Sequence, residues 1–184
     1  MSSLIRLVFV GLICLMAGCA LIRPGQDAAA TLALLPPEEG PAPVLLKQTV
    51  TLQSADERLA FLVVSRFERQ QVKLVALLPT GQPLTALEYD GKQLQQTVSV
   101  PVNLPAESIL ATIQFALWPE PSLRRHYRPE QGWTLSAETN RRQLWHHGAL
   151  LLDIIYDADI TLVHDYLRAY QVRIQTLEEM NLGT

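Results

Sequence analysis

From residue 48 onward, short segments of alternating apolar and polar residues recur between turn signals, and a single proline-bounded helical pattern interrupts them. That order restricts the fold more than any other feature. The segments "QTVTLQ" (48–53), "RLAFLVVSRF" (58–67), "VKLVALL" (72–78), "PLTALEY" (83–89) and "KQLQQTVSV" (92–100) are spaced like successive antiparallel strands. The connections "ERQQ", "PTGQ" and "YDGK" suit hairpins, Asp90-Gly91 most clearly. In the fifth segment Gln93, Gln95, Thr97 and Ser99 share one face, and Leu94, Val98 and Val100 the other, so it has a wet side and a dry side. In "LAFLVV" both faces are apolar, which places that strand centrally or against apolar matter on each side.

The helical pattern is "NLPAESILATIQFALWP", with the helix expected over about 105–118. Pro105 fits an early helical position, Glu107 suits the positive N-terminal end, and Pro119 ends the segment. Ile109, Leu110, Ile113, Ala116 and Leu117 form one apolar stripe, but Ala111, Phe115 and Trp118 lie on the opposite side. Such a helix needs apolar contact on two sides: it is sandwiched in protein, or one side lines a pocket that receives lipid. "SLRRHY" then reads as a short turn or helix. Strand character resumes in "GWTLSAET", "RRQLWHHG", "ALLLDIIYD", "DITLVH" and "YQVRIQTLEE". Strands, helix, strands imply a mainly β fold with a helical lid, one curved antiparallel sheet interrupted by a helical excursion.

The N-terminus reads as an export signal. Arg6 supplies a positive start, Leu7 to Met16 an apolar core, and Ala17-Gly18 small residues before Cys19. The apolar core is too short to span a bilayer as a stable helix, which takes about 20 residues. Leu15-Met16-Ala17-Gly18-Cys19 resembles a bacterial lipobox, with Met16 in place of the usual leucine. That resemblance implies removal of residues 1–18, a diacylglyceryl group on the Cys19 sulfur, loss of Cys14 with the signal, and no free thiol in the mature chain. Ala20 after the cysteine then implies the outer membrane, on its periplasmic face. Residues 19–43 carry Pro24, Pro36, Pro37, Pro41 and Pro43 with an alanine run and no sustained period, which reads as a tether before a domain at 44–184.

Chemistry-bearing motifs are scarce. A net charge of −3 without a basic block gives no footprint for a nucleic-acid backbone. There is no G-x-S-x-G elbow, H-E-x-x-H, phosphate-binding glycine loop or dinucleotide fingerprint. Of the four histidines (His126, His146, His147 and His164), the adjacent pair would point to opposite faces of a strand and could not share a metal unless the strand broke. Asp153, Asp157 and Asp159 lack the further ligands and the glycine of a calcium loop and read as a solvated hairpin. Arg124, Arg125 and Arg128, with Arg141 and Arg142, read as a solvated face or as contacts for lipid headgroups or an acidic partner. No metal or cofactor is expected.

"LVALLPTGQPLTALEYDGKQLQQT", "VPVNLPAESILATIQFALWP", "WTLSAETNRRQLW" and "ITLVHDYLRAYQVRIQ" together resemble a family of bacterial lipoproteins of unassigned function. Its members are encoded beside aryl-polyene lipid biosynthesis genes and are distantly similar to LolB, the outer-membrane lipoprotein receptor. The resemblance implies a half-open antiparallel β-barrel of LolA/LolB type whose cavity takes acyl chains from a LolA-like carrier, with no bond made or broken. LolB exposes a leucine on a loop after an early strand. The matching loop here reads Leu78-Pro79-Thr80-Gly81, which makes Leu77 and Leu78 candidate membrane contacts.

The leading expectation is a non-enzymatic role: a monomeric outer-membrane acceptor of acyl or polyene lipid or of lipoprotein cargo. Alternation and the helix faces nominate Phe61, Val63, Leu74, Leu87, Ile113, Phe115, Leu117, Trp118, Trp133 and Ile154 as cavity residues. Two other roles stay open. An enzyme acting on an acylated substrate, a thioesterase or acyltransferase, needs a buried serine beside a histidine. A structural lipoprotein scaffolding an envelope complex needs no cavity.

Overall fold

The computed structural model describes residues 30–55, 57–99 and 105–183. Cys19 and the signal segment lie outside the described residues. The first five strands are β1 (Val44–Gln53), β2 (Arg58–Phe67), β3 (Val72–Leu77), β4 (Pro83–Tyr89) and β5 (Leu94–Val98). The helices α1 (Ala106–Leu117) and α2 (Glu120–His126) follow. The second series is β6 (Trp133–Glu138), β7 (Arg141–His146), β8 (Ala149–Asp157), β9 (Ile160–Asp165) and β10 (Tyr170–Asn181). Every strand and the helix expected from the sequence are present, with "SLRRHY" falling in α2 and the turn after it.

All ten strands form one antiparallel sheet in the order β5-β4-β3-β2-β1-β10-β9-β8-β7-β6. The first and last strands pair at its centre, from Val44 opposite Asn181 to Gln53 opposite Gln171. The chain therefore runs outward to one edge, crosses by α1 and α2 to the other edge, and returns to the middle. The sheet stays open, with β5 and β6 as its edges. Side chains of six strands nonetheless line a single cavity under α1, so the sheet curls around the helix. A register shift between Lys47 and Gln48 leaves Leu177 on β10 unmatched and exposed.

The core lies on the concave face, where Leu46, Phe67, Leu74, Leu87, Leu144 and Ile154 meet Leu110, Ala111 and Phe115 of α1. The expected tether ending at residue 43 is corrected here. Residues 31–43 belong to the same compact unit as the rest of the domain. Leu32 and Leu35 are buried, Leu35 completely. The side-chain amide of Gln114, itself fully buried, pairs with the Leu35 backbone as another strand would: Leu35 N donates to Oε1 (2.8 Å) and Nε2 donates to Leu35 O (2.7 Å). Trp118 Nε1 donates to Pro36 O at 3.0 Å. A Cβ on Gly40 would stand 3.0 Å from the Trp118 ring, so the chain runs tightly against the indole and a larger residue would have to displace it slightly. Prolines and the absence of periodicity describe this segment's lack of regular structure, not a lack of burial.

A chain cut at residue 44 loses two buried leucines, worth about 2 kcal/mol each, and the partners of Gln114. It is expected to be less stable than a chain cut at residue 31 by about 5 kcal/mol, as measured by urea unfolding. Gln114→Leu leaves the Leu35 N–H and C=O unpaired and is expected to cost about 2–4 kcal/mol in the same assay.

Candidate functional site

Strand registers place the turns at 54–57, 78–82 and 166–169 at one end of the sheet, together with the N-terminal half of α1. At this end a cavity of about 120 Å³ lies between the sheet and α1. Its walls are almost wholly hydrocarbon. Val50, Leu52, Phe61, Val63, Leu74 and Leu87 come from the first half of the sheet, and Val163, Val172 and Ile174 from the second. Ile109, Thr112 and Ile113 of α1 form the roof, and Gln48, Thr85 and Tyr170 add the remaining polar atoms. The sheet face alternates strictly enough to send every second residue inward, which is why so many strands contribute.

Phe61, Val63, Leu74, Leu87 and Ile113, nominated from the sequence, stand together in this wall. The other five nominees do not. Phe115 and Ile154 are fully buried core residues, Phe115 meeting Tyr127 edge-to-face at 5.8 Å. Trp118 is fully buried against Phe67 at the opposite end of the helix, and Leu117 packs against the core beside it. Trp133 lines a separate depression of about 320 Å³ with Arg124, Tyr127, Pro129, Thr134 and Leu135, beside the β6 edge. That depression is larger, but it is walled by few residues, whereas the cavity under α1 is lined by seven elements. Leu77 ends β3, and Leu78 packs against the core instead of projecting from its turn, which closes through Leu78 N to Gln82 O at 2.8 Å. Among the described residues, the exposed large apolar side chains at the cavity end are Val98 and Tyr166.

The far end of α1 is held by Tyr156 and by Arg142, an arginine that reads in the sequence as one of a solvated cluster. Arg142 projects inward from β7, and its Nη1 donates to the carbonyls of Phe115 (3.0 Å), Ala116 (2.8 Å) and Trp118 (2.8 Å). Tyr156 Oη donates to Ala116 O at 2.7 Å, and the Arg142 guanidinium lies over the Tyr156 ring. A cation thus meets the helix carbonyls that lack intrahelical partners. The neighbouring Arg141 points to the convex face and forms a two-pronged pair with Asp153, which is buried and not part of a solvated hairpin. The Arg141 hydrogen bonds hold the Asp153 carboxyl below the usual range. At the first turn of α1, Arg168 bridges Asp165 and Ser108 Oγ.

Glu39 ties the segment before β1 to α2. Its Oε2 accepts from Ser122 (2.6 Å) and Arg125 (2.9 Å) and lies 3.2 Å from His126 Nε2. Burial pushes the Glu39 carboxyl up, but the hydrogen bonds from Ser122, Arg125 and His126 outweigh it and hold it below its ordinary value. A buried serine, a half-buried histidine and a half-buried carboxylate do come together here, but the carboxylate sits between the other two. In a nucleophilic triad the histidine stands there, and none of these residues lines the cavity. The paired histidines are likewise rearranged: β7 ends at His146, His147 has φ 47°, and the rings approach to 4.2 Å instead of taking opposite faces. Among the described residues, no group of three or more His, Cys, Asp or Glu could hold a metal. No helix among them is long and apolar enough to cross a membrane.

These features define a class: an open antiparallel sheet curled around a pinned helix, with an apolar cavity between them. The chain belongs to the family described as protein of unknown function (DUF3261), whose model matches residues 45–178. None of the curated proteins matches its sequence. Among solved structures it is similar to a LolA superfamily protein from Nitrosomonas europaea, with 8% identity and a TM-score of 0.46 over 83% of this chain and 96% of that one. It is also similar to a domain described as an outer membrane lipoprotein-sorting protein from Vibrio parahaemolyticus, with 10% identity and a TM-score of 0.45 over 79% of this chain and 88% of that one.

Arg142→Met strips three carbonyls of their partner and is expected to cost about 2–4 kcal/mol, and Tyr156→Phe about 1 kcal/mol. The double variant should fall short of the sum because both side chains serve Ala116 O; urea unfolding of all four proteins checks this. The carboxyls of Glu39 and Asp153 titrate lower in the folded chain than in the unfolded one. Their stabilisation is therefore present above the unfolded values, near pH 4, and is lost as pH falls through the folded ones. Unfolding midpoints measured from pH 7 to pH 3 should drop on the acid side, and Glu39→Gln should flatten part of that slope.

Proposed function

We propose that the domain binds the acyl chain of a lipid or lipoprotein in the cavity under α1, without making or breaking a bond. The observation that carries this reading is the cavity's wall: hydrocarbon from six strands and one helix, with few polar atoms among it. An acyl chain gains about 0.8 kcal/mol for each methylene removed from water, and such a wall offers that burial with little polar desolvation. In the wider reading, Cys19 is lipidated and holds the protein at the periplasmic face of the outer membrane. There it accepts cargo from a LolA-like carrier, with an aryl-polyene lipid as one candidate cargo.

The size of the cavity adds a condition. About 120 Å³ is below the roughly 300–1,000 Å³ of most ligand pockets and near the roughly 150 Å³ that accepts a benzene ring. It admits the end of a chain, so a longer stretch requires α1 to lift. Arg142 and Tyr156 fix the C-terminal end, whereas Pro105 caps the N-terminus with no side-chain hydrogen bond. The roof therefore opens from its N-terminal half, over the cavity.

Native mass spectrometry of a chain beginning at residue 31 tests the reading. Acyl ligand should be retained after purification or after incubation with acyl-lipid vesicles, and recovery of none in either case overturns it. Ala76 lies in the cavity wall, so Ala76→Leu fills empty space without the usual overpacking cost of about 1–3 kcal/mol. Its stability should match or exceed that of the unsubstituted chain, while affinity for a fluorescent fatty acid falls by about tenfold or more. An unchanged affinity would place the acyl site elsewhere.

A further inference from the structure

An open sheet leaves its outermost backbone groups unpaired, and β6 is one such edge. The hairpin fixes which of its groups face outward. His147 N donates to Gly132 O at 2.8 Å, and the β6–β7 register runs without a shift from Trp133 opposite His146 to Glu138 opposite Arg141. Thr134, Ser136 and Glu138 therefore bond to β7, while the N–H and C=O of Leu135 and Ala137 point away from the sheet. Among the described residues, none of these outward groups has a partner. Edges that must stay free are guarded by proline, lysine or a bulge, and the β6 sequence WTLSAE has none of these. Beside the edge lies the depression of about 320 Å³, to which Tyr127, Pro129, Trp133 and Leu135 give apolar walls. Trp133 and Leu135 pack toward the core, so the inward side chain of a strand added next to them enters this depression. Two cations stand nearby. Arg124 lines the depression and pairs with Glu120 on its own helix, with both side chains about half exposed, a contact weak enough to be shared. Arg128 donates from Nε to Arg125 O and forms no ion pair among the described residues.

We propose that β6 is a docking edge for an extended peptide of another protein, added as a further strand, with a large apolar side chain in the depression and a carboxylate beside Arg124 and Arg128. Backbone, side chain and charge each narrow the occupant. Outward N–H and C=O groups in strand spacing match only another extended backbone. The aromatic wall favours a bulky apolar side chain at the inward position, and the two guanidinium groups favour an acidic neighbour to it. The edge is separate from the cavity under α1, so the inference stands whatever that cavity holds.

The test titrates the full chain, held in lipid nanodiscs, into a fluorescein-labelled peptide, Thr-Glu-Thr-Phe-Thr-Glu-Thr, whose symmetric sequence fits either strand direction. Fluorescence polarisation should give a Kd on the order of 100 µM or tighter. Replacing the phenylalanine by alanine should weaken binding by about tenfold, and replacing both glutamates by lysine by about fivefold. In the protein, Ala137→Pro removes an outward N–H without touching the ladder to β7 and should abolish binding. Arg128→Glu should weaken it by about fivefold, and it decides the matter if Ala137→Pro fails to fold. Amide exchange over residues 133–138, followed by mass spectrometry, should slow when the peptide is added. No binding up to about 1 mM, equal binding of the three peptides, or protection outside β6 overturns the inference. So does protection of Leu135 and Ala137 before peptide is added, or a dimer that Ala137→Pro dissociates, which makes the occupant a second copy of the chain.

Discussion

A helix laid across the concave face of an open sheet is held there by whatever satisfies its ends and covers its second side. In α1 both tasks fall to residues far away in sequence. The Arg142 guanidinium gathers the carbonyls of Phe115, Ala116 and Trp118, and the Gln114 amide binds the backbone of Leu35. Each bond replaces one that water would otherwise make, so its net worth is modest. Breaking any of them leaves a buried polar group unpaired, which is the larger effect. The position of the roof, and with it the cavity, depends on this set.

The two ends of α1 are treated differently by the sequence, and the difference has a functional sense. At the C-terminal end a charge and a phenol converge on one short stretch of backbone, and the Trp118 indole ties that end to Pro36 O. At the N-terminal end proline takes the capping position without a side-chain hydrogen bond, and Arg168 reaches only the hydroxyl of Ser108. In the proposed acyl-binding role, a lid that admits a flexible chain needs one firm end to return to and one end that can yield. The cavity lies under the yielding end.

Much of this fold was legible in the sequence because antiparallel strands with one wet face write their period directly into residue order. The turns "YDGK" and "PTGQ" marked where each strand ended. Alternation also told which side chains point inward, but it carries no information about position along the strand axis. Ile154 and Phe61 both face inward, and they lie at different places over the sheet: one in solid core, the other in the cavity wall. The same limit applies to α1, where Ile113 roofs the cavity and Leu117, one turn further on, packs against the core. Arg141 and Arg142 could be separated only by strand parity, which sends one to Asp153 and the other beneath the helix.

The segment before β1 was the harder case. Leu32 and Leu35 sit among prolines and alanines with no repeating pattern, and nothing local distinguishes them from a solvated leash. The signal lay in their partner instead. A helix with Ala111 and Phe115 opposite its main stripe, and with a glutamine between them, needed a second apolar surface that also offered a backbone donor and acceptor. A sheet interior has few such groups to spare, since its strands already pair with one another. An extended, proline-interrupted segment has both of them free, and that is why such a segment can cover α1 where another strand or helix could not.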